Sequence, residues 1–319
     1  MPFPVRAVAF APGSIGNLGP GLDILGCAVE GAGDSVAAEF TDTPGLVIAD
    51  PGSPSLSSNP EEHASAIAAL AVVRRATSLG ATTPAAGISI RVTKGLPLAA
   101  GQGGSAASAV AGAAAVNALI GSPLGRDELL ACALAAEERV AGRHLDNIAP
   151  SLMGGVVLVR SMDPMDVVAI PVPQSLLIVL AHPAQALRTA DARAVLPASV
   201  SLATALYQAS QVAGIVAALH AGDLRLLGRC IDDRIAEPAR TGLLPGFAAA
   251  KGAALAAGAL GVSISGAGPT AFALCDGAAA AANVATAMCR AYGDAGLACV
   301  ARVTRPDAAG TRVETTVRT

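Results

Sequence analysis

The chain has no tryptophan, and aromatic residues make up only 2% of its 319 positions. Alanine carries much of the 53% hydrophobic content, so helices are expected to pack closely on small side chains. A run of about 18 strongly apolar residues, which a membrane-spanning helix needs, is also lacking. Lys251 and Gln102 interrupt the most apolar stretches. Since no basic segment followed by an apolar core begins the chain, we predict a cytoplasmic protein with no membrane partner.

Charge of either sign is not in excess, and cysteine is sparse. The 21 Lys and Arg nearly balance the 24 Asp and Glu, for a formal net charge of −3, so no nucleic-acid partner is expected. The six cysteines form no C-x-x-C pair, which excludes the common zinc spacings and indicates small buried hydrophobes. The length suits two domains. Pro171 and Pro173 mark the predicted boundary between domains of residues 1–170 and 171–319.

Glycine, in contrast, is concentrated in residues 95–112, GLPLAAGQGGSAASAVAG. Glycine lets the backbone adopt φ > 0 and approach a ligand closely. A helix beginning at Ser105 would direct free N–H groups and its positive dipole end at the loop, as a phosphate cradle requires. A glycine-rich helix entry packed on a strand is the alternative. The loop is not a Walker A motif, because no Lys-Ser/Thr pair follows the last glycine. Its spacing also excludes a dinucleotide fingerprint.

Two further loops carry polar side chains. Residues 12–23, PGSIGNLGPGLD, display Asn17 and Asp23, either at a binding edge or in a turn that bonds its own backbone. Residues 237–246, EPARTGLLPG, are predicted to form a polar loop that carries Arg240.

Local patterns place the regular elements, and the second half alternates them in an α+β order. Asn59, Pro60 and two acids predict the start of a helix that ends at Gly80. Further helices are predicted over residues 105–119, 126–140, 189–196, 201–220, 223–230, 247–258 and 278–292. Strands are predicted over residues 5–11, 36–40, 46–49, 87–93, 156–160, 167–172, 176–181, 262–265, 271–275, 297–303 and 312–317.

Three glycine segments, PGSIGNLGPGLD, PLAAGQGGSAAS and SGAGPT, together resemble the three motifs of the GHMP kinases. Within that superfamily the chain is most similar to the homoserine kinase family. The first segment matches its S-x-x-N-L-G-x-G-x-D, and HLDNIAPSLMGG matches its H-x-D-N-x-A-P-x-x-x-G-G. RTADARAVLP and EPARTGLLP are similar to its T-x-x-A-R-x-x-L-P and E-P-x-R-x-x-L-I-P. The resemblance covers residues 5 to 303.

The resemblance implies an α+β fold of two domains with the site between them. The N-terminal domain would be of the ribosomal S5 domain 2-like α/β type, and the C-terminal domain ferredoxin-like. It further implies ATP-dependent phosphorylation of the side-chain hydroxyl of L-homoserine to O-phospho-L-homoserine, a step of threonine biosynthesis. ATP and Mg²⁺ would be the cofactors, and a homodimer is the expected assembly.

The glycine loop departs from the family at two positions. The family reads G-L-G-S-S-A-A where this chain reads GQGGSAA, so Gln102 replaces Leu and Gly104 replaces the first Ser. A lost hydroxyl removes one possible ligand for phosphate or Mg²⁺. Because the backbone cradle and Ser105 persist, we expect nucleotide binding to persist.

Phosphoryl transfer requires that charge on the moving group be neutralised and the acceptor held in line. Ser105 and Glu137 are the expected Mg²⁺ ligands. Glu137 is preferred over Glu138 because the resemblance implies an acid seven residues before His144, although either could lie on a solvated helix face. The expected phosphate-binding residues are Lys94, Gly101, Gln102, Gly103, Gly104, Ser105, Ala106 and Ala107.

The acceptor presents an ammonium, a carboxylate and an alcohol. Asp23, supported by Asn17, suits the ammonium, and the planar fork of Arg240 suits the carboxylate. Arg193 and Asn147 would orient the hydroxyl, with Thr189 nearby. His144 is interpreted as structural.

Asn147 cannot accept a proton as a general base. We therefore predict that transfer depends on positioning, without a dedicated protein base. The predicted catalytic residues are Glu137, Asn147 and Arg193. Two alternatives stay open, namely a GHMP kinase acting on a sugar or isoprenoid alcohol, and a regulatory protein that binds nucleotide without turnover.

Overall fold

Two β-sheets covered by helices organise the computed structural model, which describes residues 3–81, 86–140 and 142–317. The strands are β1 Arg6–Gly16, β2 Leu25–Thr41, β3 Leu46–Asp50, β4 Gly87–Thr93, β5 Val156–Met162, β6 Met165–Ile170, β7 Leu176–Pro183, β8 Gly261–Ile264, β9 Ala271–Asp276, β10 Cys299–Thr304 and β11 Arg312–Thr316. The helices are α1 Ala64–Ser78, α2 Gly104–Leu119, α3 Arg126–Val140, α4 Ile148–Met153, α5 Thr189–Ala194, α6 Leu202–Ala221, α7 Leu224–Arg229, α8 Ala236–Arg240, α9 Phe247–Ala256 and α10 Ala278–Asp294.

The first sheet has the strand order β11-β1-β2-β4-β3, with β5 and β6 paired beside β2. Its strand β4 alternates as the pattern predicted, because Ile88, Ile90 and Val92 are buried. Helix α2 packs between this sheet and the neighbouring helices α1 and α3. All residues of α2 from Ala106 to Leu119 are buried, and a Cβ at Gly112 would lie 2.2 Å from the backbone oxygen of Ser65. The small side chains therefore allow the close helix packing that the composition predicted.

The second sheet is antiparallel, with the order β10-β7-β9-β8. Helix α10 connects β9 to β10, helices α5 to α9 lie between β7 and β8, and this order is the ferredoxin-like arrangement. The two halves share a continuous core, in which Ile15 and Leu25 of the first sheet pack with Ile178, Ile215 and Phe272. The predicted two-domain α+β fold is confirmed.

Three local predictions are wrong, each because distant chain segments changed the local preference. Strand β1 continues through residues 12–16, since β2 supplies its hydrogen-bonding partners across a bulge between Pro12 and Gly13. Helix α1 begins at Ala64, where the His63 ring nitrogen accepts from the Ser65 N–H, and the predicted cap at Asn59 belongs to a preceding turn.

The EPARTGLLPG segment is the third error, because it forms helix α8 and a 3₁₀ turn over Thr241–Leu243. The carboxylate of Asp233 accepts the N–H groups of Ile235, Ala236 and Glu237. The Asp233 side chain thus caps the N-terminus of helix α8.

Strand β11 returns from the C-terminal half to pair with β1. The chain passes from the first sheet to the second between Ile170 and Leu176, but its last strand completes the first sheet. The division into residues 1–170 and 171–319 stays a prediction.

Among the described residues, α6 is the one helix long and apolar enough to cross a membrane by length and composition, with a mean hydropathy of 1.4. It packs Ile215 and Leu219 into the core shared by the two sheets.

Candidate active site

The three glycine segments meet at one cleft of about 500 Å³ between the two sheets. The glycine loop (residues 101–105) lies between the first glycine segment (residues 12–23) and the closing turn (residues 265–270). The Ser14 N–H donates to the Gln102 backbone oxygen at 3.1 Å, and the Gly266 N–H donates to the Gly16 oxygen at 3.1 Å. The tertiary structure therefore brings together motifs that are some 250 residues apart in the chain.

The glycine loop has the backbone geometry of a cradle. Gly101 and Gly103 have φ of 71° and 69°, in the left-handed region that favours glycine. A Cβ at Gly101 would lie 2.5 Å from the backbone oxygens of Ser265 and Gly268, and one at Gly103 would lie 2.1 Å from Ser14 Oγ. Glycine is therefore required at both positions.

Helix α2 directs its N-terminus at the cleft. Its first backbone bond runs from the Ala107 N–H to the Gly103 oxygen, so the N–H groups of Gly104, Ser105 and Ala106 have no partner within the helix. The Ala107 N–H is donated within the helix, and its predicted contact with phosphate stays a prediction. Gly104 and Ser105 line the cleft, and the helix dipole adds a positive potential there.

Lys94 lines the cleft but already has a partner for its charge. Its ammonium forms an ion pair with Asp34 and donates to the Gly104 oxygen at 3.2 Å and to Ser108 Oγ at 3.0 Å. The Lys94 and Asp34 side chains are 9% and 0% exposed. Lys94 therefore connects the start of α2 to the first sheet through these contacts. Its predicted contact with phosphate stays a prediction.

Gln102 was predicted to contact phosphate, but its side chain points out of the cleft. It is buried and donates to Thr270 Oγ1 at 3.3 Å. Gly104 leaves room for the hydroxyl that the family carries there, since the nearest atom to a Cβ would be Lys94 Nζ at 3.5 Å. The loss of that hydroxyl is thus not imposed by packing.

Ser105 and Glu137 come together as the sequence predicted for a metal site. Ser105 Oγ donates to Glu137 Oε1 at 3.3 Å. Glu137 is buried, and its Oε2 has no hydrogen-bond partner among the residues that the structure describes. Burial raises its pKa from 4.5 to about 7. An oxygen that lacks a partner in a buried carboxylate fits a cation ligand. Glu138 is exposed and pairs with Arg143 at 2.8 Å.

Arg240 has no carboxylate partner among the described residues. It is 2% exposed, with Nε donating to the Ala192 oxygen at 3.1 Å and Nη1 to the Gly266 oxygen at 2.9 Å. Burial lowers its pKa, but an arginine keeps its charge in proteins. A buried guanidinium beside a cleft is therefore ready to receive an anion.

Asp23 and Arg193 form an ion pair at the same end of the cleft. Two hydrogen bonds join the guanidinium to the carboxylate, and about a third of each side chain is exposed. Thr189 lines this end as well.

Asn17 and Asn147 hold this end of the cleft in place. Asn17 Oδ1 accepts the Asp23 N–H at 3.1 Å, and its amide donates to the Gly266 oxygen at 2.9 Å. Asn147 Oδ1 accepts from Ser14 Oγ at 2.9 Å, which leaves its amide nitrogen as a donor.

Sequence reasoning assigned no role to three residues that shape the site. Asp146 is buried, accepts the Asn17 N–H at 3.0 Å and has a pKa raised to about 7, mainly by burial. Its carboxylate groups with Asp23 and His144 within 4.8 Å. Asp146 and Ser14 stood inside matched motifs and could have been chosen. Asp34 carried no local signal, because it lies 60 residues from its partner Lys94.

Comparisons with known proteins identify the family of this chain. The family models "GHMP kinases N terminal domain" and "GHMP kinases C terminal" match residues 64–155 and 215–294. A homoserine kinase of Arabidopsis thaliana is 40% identical, with 98% of this chain and 86% of that protein covered. One of Chloroherpeton thalassium is 38% identical, with 89% and 91% covered.

The chain belongs to the homoserine kinase family of GHMP kinases. The crystal structure of the homoserine kinase from Cytophaga hutchinsonii superposes with a TM-score of 0.91 at 40% identity, and the match covers 97% of this chain and 98% of that one. In this member of the homoserine kinase family, the glycine loop, the Ser105–Glu137 pair and Arg240 all line one cleft.

Proposed function

We propose that the protein transfers the γ-phosphoryl group of ATP to the side-chain hydroxyl of L-homoserine, forming O-phospho-L-homoserine for threonine biosynthesis. The observation that supports this proposal is the buried Arg240 guanidinium, which has no carboxylate partner in the described part of the chain and shares a cleft with the N-terminus of α2. The carboxylate of an amino-acid acceptor would neutralise that charge, whereas a sugar or an isoprenoid alcohol would leave the Arg240 guanidinium without an anion.

ATP is proposed to bind with its phosphates at the glycine loop. The cleft is also lined by Leu56, Ser57, His63, Pro97 and Leu98, a mixture of apolar surface and a few polar groups that suits the planar base of ATP. The N–H groups of Gly104, Ser105 and Ala106 bind the phosphates, and no side-chain hydroxyl is required at position 104.

Mg²⁺ is proposed to bind at Ser105 and Glu137, the pair in which a carboxylate oxygen lacks a partner. When bound, the ion neutralises charge on the phosphates. Glu137 must be ionised for this role, and its pKa near 7 in the unliganded protein makes cation binding favour pH above that value.

The acceptor is proposed to bind with its carboxylate on Arg240 and its ammonium on Asp23. The donor amide of Asn147, held by Ser14, and Arg193 then orient the hydroxyl toward the γ-phosphate. The oxygen–phosphorus bond forms as the bond to ADP breaks, and the hydroxyl proton leaves to phosphate or water, since Asn147 cannot accept it. Catalysis then depends on positioning and charge neutralisation.

Release of ADP by the purified protein tests the proposal, with ATP, MgCl₂ and one acceptor at a time. L-Homoserine alone should give strong release, with L-serine, L-threonine, mevalonate and galactose near background. ATP binding without release for any acceptor would favour the regulatory alternative. Release with mevalonate or galactose would overturn the assignment of Asp23 and Arg240.

We also propose a cytoplasmic location and a homodimer, without nucleic-acid or membrane partners. These proposals rest on the family resemblance and composition. Light scattering after gel filtration would test the assembly, since a homodimer should have twice the mass of 31.1 kDa.

A further inference from the structure

Gln102, the residue by which the glycine loop departs from the family leucine, contacts both halves of the protein. Its backbone oxygen accepts the Ser14 N–H from β1 at 3.1 Å. Its side chain donates to Thr270 Oγ1, at the end of the closing turn, at 3.3 Å. Gln102 and Thr270 are 6% and 0% exposed, so water does not compete for this bond.

Thr270 continues the contact into the second sheet. Its hydroxyl lies 3.1 Å from Nδ1 of His182 on β7, and its N–H donates to the Ala100 oxygen at 3.3 Å. One hydroxyl can accept from Gln102 and donate to a neutral imidazole at the same time. Gln102, Thr270 and His182 thus form a buried chain of polar contacts from the glycine loop to the second sheet.

We infer that Gln102 and Thr270 are positioning residues that fix the glycine loop for nucleotide binding, a tether that a leucine at position 102 cannot make. The side chain of Gln102 does not line the cleft, so it acts through the loop backbone rather than on phosphate. The closing turn already holds the neighbouring position, because Ser265 Oγ donates to the Gly101 oxygen at 2.6 Å. The added bond restricts a loop that contains three glycines within four residues, where backbone freedom is greatest.

The inference rests on the proposed nucleotide site. Two measurements distinguish a failure of the inference from a failure of that site. Isothermal titration calorimetry with ATP and MgCl₂ reports affinity, and amide hydrogen exchange of residues 101–104 without nucleotide reports loop order. Gln102→Leu, which keeps side-chain volume, should weaken ATP binding roughly two- to tenfold, the range of one net hydrogen bond. It should also speed exchange in the loop.

Thr270→Val should have a similar effect, and Thr270→Ser should restore the wild-type values because it keeps the hydroxyl. The double variant Gln102→Leu/Thr270→Val should bind ATP about as well as either single variant, since both remove the same contact.

Asn117→Leu is the matched control. It removes two buried hydrogen bonds to Leu124 at the far end of α2, so it should lower thermal stability and leave ATP affinity unchanged. L-Homoserine affinity should stay within twofold of wild type in Gln102→Leu.

Wild-type affinity and loop exchange in Gln102→Leu would overturn the inference, as would additive losses in the double variant. If the wild-type protein binds no ATP, the proposed function fails. The exchange rates, which need no nucleotide, then still decide whether Gln102 orders the loop.

Discussion

The substitution Gly101→Ala should weaken ATP binding at the glycine loop or lower the stability of the protein, whereas Gly104→Ala should do neither. Gly101 has a φ of 71°, which costs a non-glycine residue about 1 kcal/mol. Its Cβ would lie 2.5 Å from two carbonyl oxygens of the closing turn, Gly268 and Ser265, and backbone atoms cannot swing aside. Together these terms amount to about 2–3 kcal/mol.

The assay is calorimetric titration of ATP with MgCl₂, run with thermal unfolding. If the strain is relieved by displacement of the loop, Gly101→Ala should lose roughly 30- to 150-fold in ATP affinity. If the loop stays in place, the same free energy should appear as a lower melting temperature. Either result, or a division between them, agrees with the structure.

Gly104→Ala is the matched control three positions away. Its Cβ would lie 3.5 Å from Lys94 Nζ, an ordinary contact, and alanine is a better helix former than glycine. This variant should bind ATP like wild type and unfold at the same or a slightly higher temperature. Wild-type affinity and stability in Gly101→Ala would refute the reasoning, because the closing turn would then not constrain the loop.

Three further substitutions test other parts of the site. Since burial raises the folded-state pKa of Glu137 from 4.5 to about 7, its stability contribution is full below about pH 4.5 and is lost as pH rises through 7. Glu137→Gln should therefore gain stability over wild type between pH 5 and pH 8, by at most about 3 kcal/mol, in thermal unfolding; a difference that is constant with pH would contradict the burial argument. Arg240→Lys should raise KM for L-homoserine at least about tenfold with KM for ATP unchanged, since a lysine ammonium lacks the planar fork that binds a carboxylate through two hydrogen bonds; equal changes in both KM values would refute it. Ser14→Ala frees the Asn147 amide and should lower kcat about tenfold, whereas Ser151→Ala, which removes a buried bond to the Pro12 oxygen, should leave kcat unchanged; steady-state kinetics distinguishes the two.

The motif-bearing segments were the most predictable part of the site. Helix α3 spans the predicted residues 126–140, and it places Glu137 rather than Glu138 against Ser105. The family resemblance, which implies an acid seven residues before His144, was enough for that choice. The start of α2 at Gly104 lies one residue from the prediction, because glycine and alanine content changes abruptly there.

The role of Lys94 was not predictable in the same way. A lysine before a glycine loop suggests phosphate binding, but Lys94 is held by Asp34. That partner comes from β2, and no local pattern connects the two positions. For the same reason, the direction in which the Gln102 side chain points could not be predicted from the sequence, since its acceptor Thr270 is 168 residues away.

The sequence by itself determined the family, the two-domain α+β fold and the residue types that each end of the cleft offers. The family and the fold follow from the resemblance that the short motifs carry, and the residue types are read directly from those motifs. Only the tertiary structure decided which polar groups keep their charge or hydrogen-bonding capacity for a ligand. Among the described residues, Arg240 has no carboxylate partner and Glu137 Oε2 has no hydrogen-bond partner, whereas the side chains of Lys94, Asn17 and Gln102 bond to protein groups. That distinction depends on contacts between distant segments, since a buried polar group bonds whatever the fold brings within reach.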